Sequence, residues 1–160
     1  EDGTETGFDL LIAVPPHRVP RLLVEAGLVE SGGWVRVDPG TLEVTGHSNV
    51  YAIGDCTVVA LPGRFDPNAP PLSLPKAGVM AASEGEIVGA AIAARLMNAP
   101  VRERFAGRGF CYLEMGGRQA MRAEGDFLAQ PHPVMSARQP DEAQYRDKVE
   151  WIESWLKPAP

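Results

Sequence analysis

The sequence predicts an α+β fold: short parallel-type strands and a long helix, followed by an antiparallel C-terminal region with a final helix. Three observations predict it. Residues 8–14 are almost continuously apolar, with Phe8, Leu10, Leu11, Ile12, Ala13 and Val14, as in a strand covered on both faces. Residues 75–97 carry Val88, Ile92 and Leu96 in an i, i+4, i+8 row, the periodicity of a helix. Beyond residue 100, Gly116-Gly117 and Glu124-Gly125 separate short apolar runs, which is the punctuation of antiparallel hairpins.

Taken in order, the strand over 8–14 ends at Pro15-Pro16, because proline cannot continue a hydrogen-bonded ladder. His17 and Arg18 follow on a loop, either solvated or facing a site. Leu22, Leu23 and Ala26 are helically spaced over 19–27, and Gly27 ends that turn. Residues 34–38 alternate as a half-buried strand, and Pro39-Gly40 is a turn signal. Tyr51, Ala52 and Ile53 form a short buried strand, which Gly54-Asp55 closes. The four prolines and one glycine over 61–72 predict a long aperiodic loop; His47 belongs to a surface loop.

The helix over 75–97 places Pro75 in its first turn, where a missing N–H removes no bond. Gly78, Gly85 and Gly89 make it slim at a cost of about 1 kcal/mol each, so close packing against a sheet or ligand is expected. Short strands are predicted over 109–114, 118–123 and 126–129, with a linker over 130–140. From Asp141 onward Tyr145, Val149, Ile152 and Leu156 make one helical stripe, with Trp151 and Trp155 beside it.

Composition narrows the function classes. A net charge of -6 argues against nucleic acid, whose phosphates call for a basic surface. Cys56 and Cys111 form no Cys-x-x-Cys pair, so no metal site is expected. Two cysteines suit the cytoplasm and leave the periplasm open. No apolar run approaches the ~20 residues of a membrane-spanning helix. The polar, acidic start is unlike a secretory leader.

Gly54-Asp55 is the first chemical constellation. Glycine lets the chain turn and a ligand approach, and a carboxylate at a strand end suits a sugar-like hydroxyl. An ordinary turn has the same local pattern. Residues 45–55, the Leu74-Pro75-Lys76-Ala77-Gly78 segment and the small-residue helix together resemble the C-terminal part of two-dinucleotide-binding-domain flavoproteins. Within them the chain most resembles the sulfide:quinone oxidoreductases and the flavoprotein subunit of flavocytochrome c sulfide dehydrogenase, from about Phe8 to about Leu156.

That resemblance implies residues 1–48 as the end of a second dinucleotide-binding domain, 49–100 as the end of an FAD-binding domain and 101–160 as an interface or acceptor domain. It implies FAD contacts at Gly54, Asp55, Pro75, Lys76, Ala77 and Gly78, and a redox disulfide between Cys111 and a cysteine outside this chain. Phe110 and Tyr112 would shield sulfur or line a quinone pocket. The plainer readings are an exposed Lys76 in a helix first turn and a buried structural Cys111; Cys56 reads as a small residue packed near the flavin. No Gly-x-Gly-x-x-Gly is present, so the expected partner is a missing N-terminal FAD-binding portion, and the fragment alone is expected inactive and poor in flavin. Further partners implied are a quinone or cytochrome acceptor, a homodimer mate and a peripheral membrane surface. Two alternatives stay open: a flavoenzyme like the type II NADH dehydrogenases, with Cys111 idle, and a segment that mainly docks and dimerises.

Overall fold

The computed structural model describes residues 3–29, 33–63, 68 and 72–157. Its elements run α1 (Arg21–Glu25), β1 (Val35–Arg36), a single 3₁₀ turn (Gly54–Cys56), β2 (Thr57–Val58), α2 (Gly78–Leu96), β3 (Arg108–Gly116), β4 (Gln119–Asp126), β5 (Val134–Ala137) and α3 (Glu142–Trp155). β1 and β2 pair in parallel, Val35 beside Thr57, while β3, β4 and β5 form an antiparallel sheet in that order. The fold class is α+β, as the apolar patterning predicts.

The core gathers around β1 and α2. Val35 and Val37 point inward while Arg36 stays exposed, the alternation of a half-buried strand. They join Leu42, Val44, Ala52, Val59, Leu74, Met80, Val88 and Phe105. The turn after β1 is tied by Asp38, whose carboxylate accepts from the amides of Gly40 and Thr41 and from the Thr41 hydroxyl. These bonds hold the Asp38 carboxyl below its usual range. At the far end of α2, Arg95 bonds Glu43 and Asn49 and lies over Tyr51, pinning the 43–51 segment to the helix.

Several elements differ from the expectation. Residues 8–14 take no regular structure, and Ile12 is 85% exposed. A strand meant for burial on both faces needs neighbours on both sides, and among the described residues no strand pairs with it. The third antiparallel strand lies at Val134–Ala137, within the expected linker, and not over 126–129. Glu124-Gly125 is no turn: Gly125 stays in β4 because the Phe127 ring and the Met135 sulfur fill the space a Cβ would take. The hairpin turn at Gly116–Arg118 does form, with φ of +80°, +58° and +59°. Most of the loop predicted over 61–72 lies outside the described residues.

The α2 stripe is also rotated from the predicted row. Met80, Glu84, Val88 and Ala91 are buried, whereas Ile92 and Leu96 are exposed. Of its glycines only Gly85 has a neighbour, Ile53, at the Cβ position; Gly78 and Gly89 face open space. α3 begins at an Asp141 cap that accepts from the Gln144 amide. Gln144 is buried because its side chain bonds the Arg122 amide and the Gln139 carbonyl, whereas Tyr145 of the predicted stripe is only half-buried.

Leu42 is fully buried at the centre of this core. Leu42→Ala is expected to lower stability by about 2–5 kcal/mol, read as a fall in the thermal or urea midpoint.

Candidate functional site

The site is built on the turn that closes the Tyr51–Ile53 segment. Ile53 is extended and Gly54 adopts φ +71°, so the chain reverses at a residue that needs no Cβ. A Cβ there would also stand 3.4 Å from the Ala81 Cβ of α2. The Thr57 hydroxyl and the Cys56 thiol bond back to the carbonyls of Gly54 and Ile53. Cys56 is half-buried, and that burial raises its thiol pKa above the ordinary value. Asp55 is exposed at the tip. It borders a cleft of about 500 Å³ with His17, Arg18, Pro20, Trp34 and Cys56. The His17-Arg18 loop is thereby brought beside Asp55.

Pro75 and Lys76 do not lie in the helix. α2 starts at Gly78, with Ala77 as its N-cap, and Ala77 has no side chain able to cap the first amides. The Lys76 side chain instead folds back onto the turn. Its ammonium donates to the carbonyls of Asp55 at 2.7 Å and Thr57 at 2.8 Å, and sits 3.7 Å from the centre of the Trp34 ring. Partial desolvation lowers its pKa, opposed by Asp55 and Glu84. Lys76 is therefore neither in the helix first turn nor fully exposed, as the plainer reading of the sequence had it.

Glu84 is the residue that sequence reasoning missed. It is 1% exposed, and its Oε2 accepts from the Gly54 amide at 2.5 Å. Desolvation raises its pKa, against the lowering effect of that bond. The signal was present: Glu84 falls four residues after Met80 and four before Val88, on the apolar stripe.

Cys111 is a free, exposed thiol on β3, in register with Ala123 and, one strand further, Ala137. Phe110 and Tyr112 lie on the opposite face, since successive strand residues alternate. There Phe110 meets Tyr112 edge to face, both contact Trp151, and the Arg122 guanidinium lies 4.2 Å from the Phe110 ring centre. Arg122 also donates to the Tyr112 hydroxyl. The two aromatics therefore do not shield the sulfur. Phe110, with Val79 and Ser83 of α2, Arg122, Glu124 and Ser136, lines an open groove of about 440 Å³; Tyr112 does not. The glycines that allow close approach serve the chain itself. Gly107, at φ +68°, fits against Leu128, and Met80 fills the Cβ position of Gly109.

Among the described residues no cluster of His, Cys, Asp and Glu suits a metal ion, and no helix is long and apolar enough to cross a membrane.

No family model matches the chain. It is 29% identical over 124 residues to the mitochondrial sulfide:quinone oxidoreductase of Mus musculus, a match covering 78% of this chain and 25% of that protein. Against the mitochondrial sulfide:quinone oxidoreductase of Schizosaccharomyces pombe it is 43% identical over 58 residues, or 35% of this chain and 13% of the relative. The chain is thus distantly related to an oxidoreductase of which it spans about a quarter or less.

Glu84 makes stability depend on pH. A carboxyl whose pKa is raised by folding stabilises below its unfolded value and loses that contribution as pH rises through the folded value. Glu84→Gln is therefore expected to melt higher than the native chain at pH 7. The gap should close as pH falls below about 4.3, the ordinary glutamate value.

Proposed function

We propose that this chain is the C-terminal portion of an FAD-dependent oxidoreductase that passes electrons from sulfide, through a cysteine disulfide, to a quinone or a cytochrome. The observation that carries the sulfur step is the exposed, unpaired Cys111 thiol on β3, in a chain similar to sulfide:quinone oxidoreductases. A cysteine from the remainder of the enzyme supplies the partner. Sulfide forms a bond to one cysteine sulfur as the S–S bond breaks, leaving a persulfide and a thiolate; a nucleophilic acceptor would then take the persulfide's outer sulfur, restoring a thiol, and the two cysteines would re-form the disulfide by giving up two electrons and the thiol proton.

The residues present fit a flavin. Gly54 turns without a Cβ, and Asp55 presents its carboxylate, with no hydrogen bond or ion pair among the described residues, to the 500 Å³ cleft, suited to a ribityl hydroxyl. The first amides of α2, uncapped at Ala77 and Gly78, suit the electron-rich edge of the ring. Lys76 supports this arrangement from the backbone side, holding the Asp55 and Thr57 carbonyls. FAD, when bound, supplies the two-electron relay between sulfur and acceptor. The groove edged by Phe110 is open, and that ring is the surface against which a planar acceptor would lie. Residues 1–48 and 49–100 then belong to the two nucleotide-binding domains, and 101–160 to the acceptor domain.

In the longer FAD-bearing polypeptide, Cys111→Ser is expected to abolish sulfide-dependent reduction of the bound flavin, followed by its visible absorbance, while FAD remains bound. Reduction by sulfide at the native rate would remove the sulfur role and favour NADH as donor. Asp55→Ala is expected to weaken FAD binding about tenfold or more, as the loss of a charge-assisted bond of about 1.5–3 kcal/mol requires. An unchanged dissociation constant would take Asp55 out of the site.

A further inference from the structure

The Gly54–Asp55 turn is held from two sides by groups of opposite charge. From α2, the Glu84 carboxyl takes the Gly54 amide; from the 72–77 segment, the Lys76 ammonium takes the carbonyls of Asp55 and Thr57. Only about 10 Å³ of space remains in the crevice between the turn and α2, the lower limit for one water molecule. The Gly54 amide therefore has a carboxyl oxygen as its partner where an exposed turn would have solvent. Among the described residues no hydrogen bond or ion pair engages the Asp55 side chain, so its direction follows from how the turn's backbone is held.

We propose that Glu84 is the positioning residue of this turn: through the Gly54 amide it sets the backbone from which Asp55 meets a hydroxyl of the bound cofactor. The inference rests on the flavin reading above and deepens it. It assigns the buried acid a task that a core leucine cannot perform. Burying an ionisable group on an apolar stripe is unfavourable. Here the burial places a strong acceptor 2.5 Å from an amide that would otherwise lose its partner, and an unmet buried amide is costly in turn. The ionised acid is the stronger acceptor, and its charge faces three titratable neighbours. Asp55 opposes ionisation, Lys76 favours it, and Cys56 lies within the same field. The grip on Gly54 should therefore strengthen as Glu84 ionises.

Gln in place of Glu84 keeps a carbonyl acceptor and loses the titration; Leu loses both. The test is amide NMR on the ¹⁵N-labelled 160-residue chain between pH 4 and 8. The Gly54 resonance is expected to follow a carboxyl titrating above the ordinary glutamate range, and Glu84→Gln to flatten that curve. Hydrogen exchange at Gly54 should stay within about threefold of native in Glu84→Gln. In Glu84→Leu it should speed by about tenfold or more while β3–β4 amides are unmoved. A Gly54 resonance whose titration survives Glu84→Gln overturns the proposal, even where Glu84→Leu does not fold.

A second arm separates this proposal from the reading beneath it. In the FAD-bearing polypeptide, Glu84→Leu is expected to raise the FAD dissociation constant as Asp55→Ala does, and Glu84→Gln to change it less than threefold. If Asp55→Ala releases FAD and Glu84→Leu does not, the positioning role alone falls. If neither substitution changes FAD binding, the flavin reading falls and the positioning role falls with it.

Discussion

The hydrogen bond between the Gly54 amide and the Glu84 carboxyl ties together parts of the chain 30 residues apart. It joins the end of the Tyr51–Ile53 segment to the second turn of α2, and the rest of the first layer is arranged around that junction. Met80 and Val88, one helical turn to either side of Glu84, belong to the same buried cluster as Val35, Leu42, Ala52 and Leu74. The core can therefore close over an acid only because the acid has a partner. Lys76 completes the junction on its outer side, with its ammonium over the Trp34 ring. The turn is thus fixed by charge and hydrogen bonding, while α2 is fixed by apolar burial, and each needs the other to be in place.

The antiparallel layer attaches by a different device. Met80 enters the space left by the missing side chain of Gly109, so α2 reaches β3 closely at that point. Leu128 does the same at Gly107, where the chain turns into the sheet. Arg122 then organises the far face, with Phe110, Tyr112 and Trp151 around it and its Nε 2.7 Å from Glu124. That Nε is buried, and the Glu124 oxygen lies off the line of its N–H, so the pair acts by charge more than by a hydrogen bond.

Much of this was legible where local pattern and final environment agree. The alternation at Val35–Val37, the glycine turn at 116–117 and the helices near 78–96 and 142–155 follow from period and punctuation. The failures arise where distant residues decide. Gly125 reads as a turn residue until Phe127 and Met135 cover it. The apolar run over 8–14 reads as a strand, yet a strand is a property of its neighbours. Lys76 was expected in a helix, and its backbone partners 19 and 21 residues away draw it out onto the turn. Glu84 is polar by residue type, and only its place on the stripe of Met80 and Val88 signals its burial.

The strand geometry around Cys111 constrains how any chemistry on this sheet can be organised. Neighbouring residues on β3 face opposite ways, so the thiol and the aromatic pair Phe110–Tyr112 cannot serve one pocket. Tyr112 is committed to Arg122 and Trp151, a packing role. Phe110 shares that cluster but also edges the groove against α2, which makes it the aromatic available to a planar ligand. Cys111 lies on the other face with Gly109, the residue against which Met80 rests. The Cys111 face and the Phe110 face are thereby separated by the thickness of one sheet, with the start of α2 within reach of β3 at Gly109.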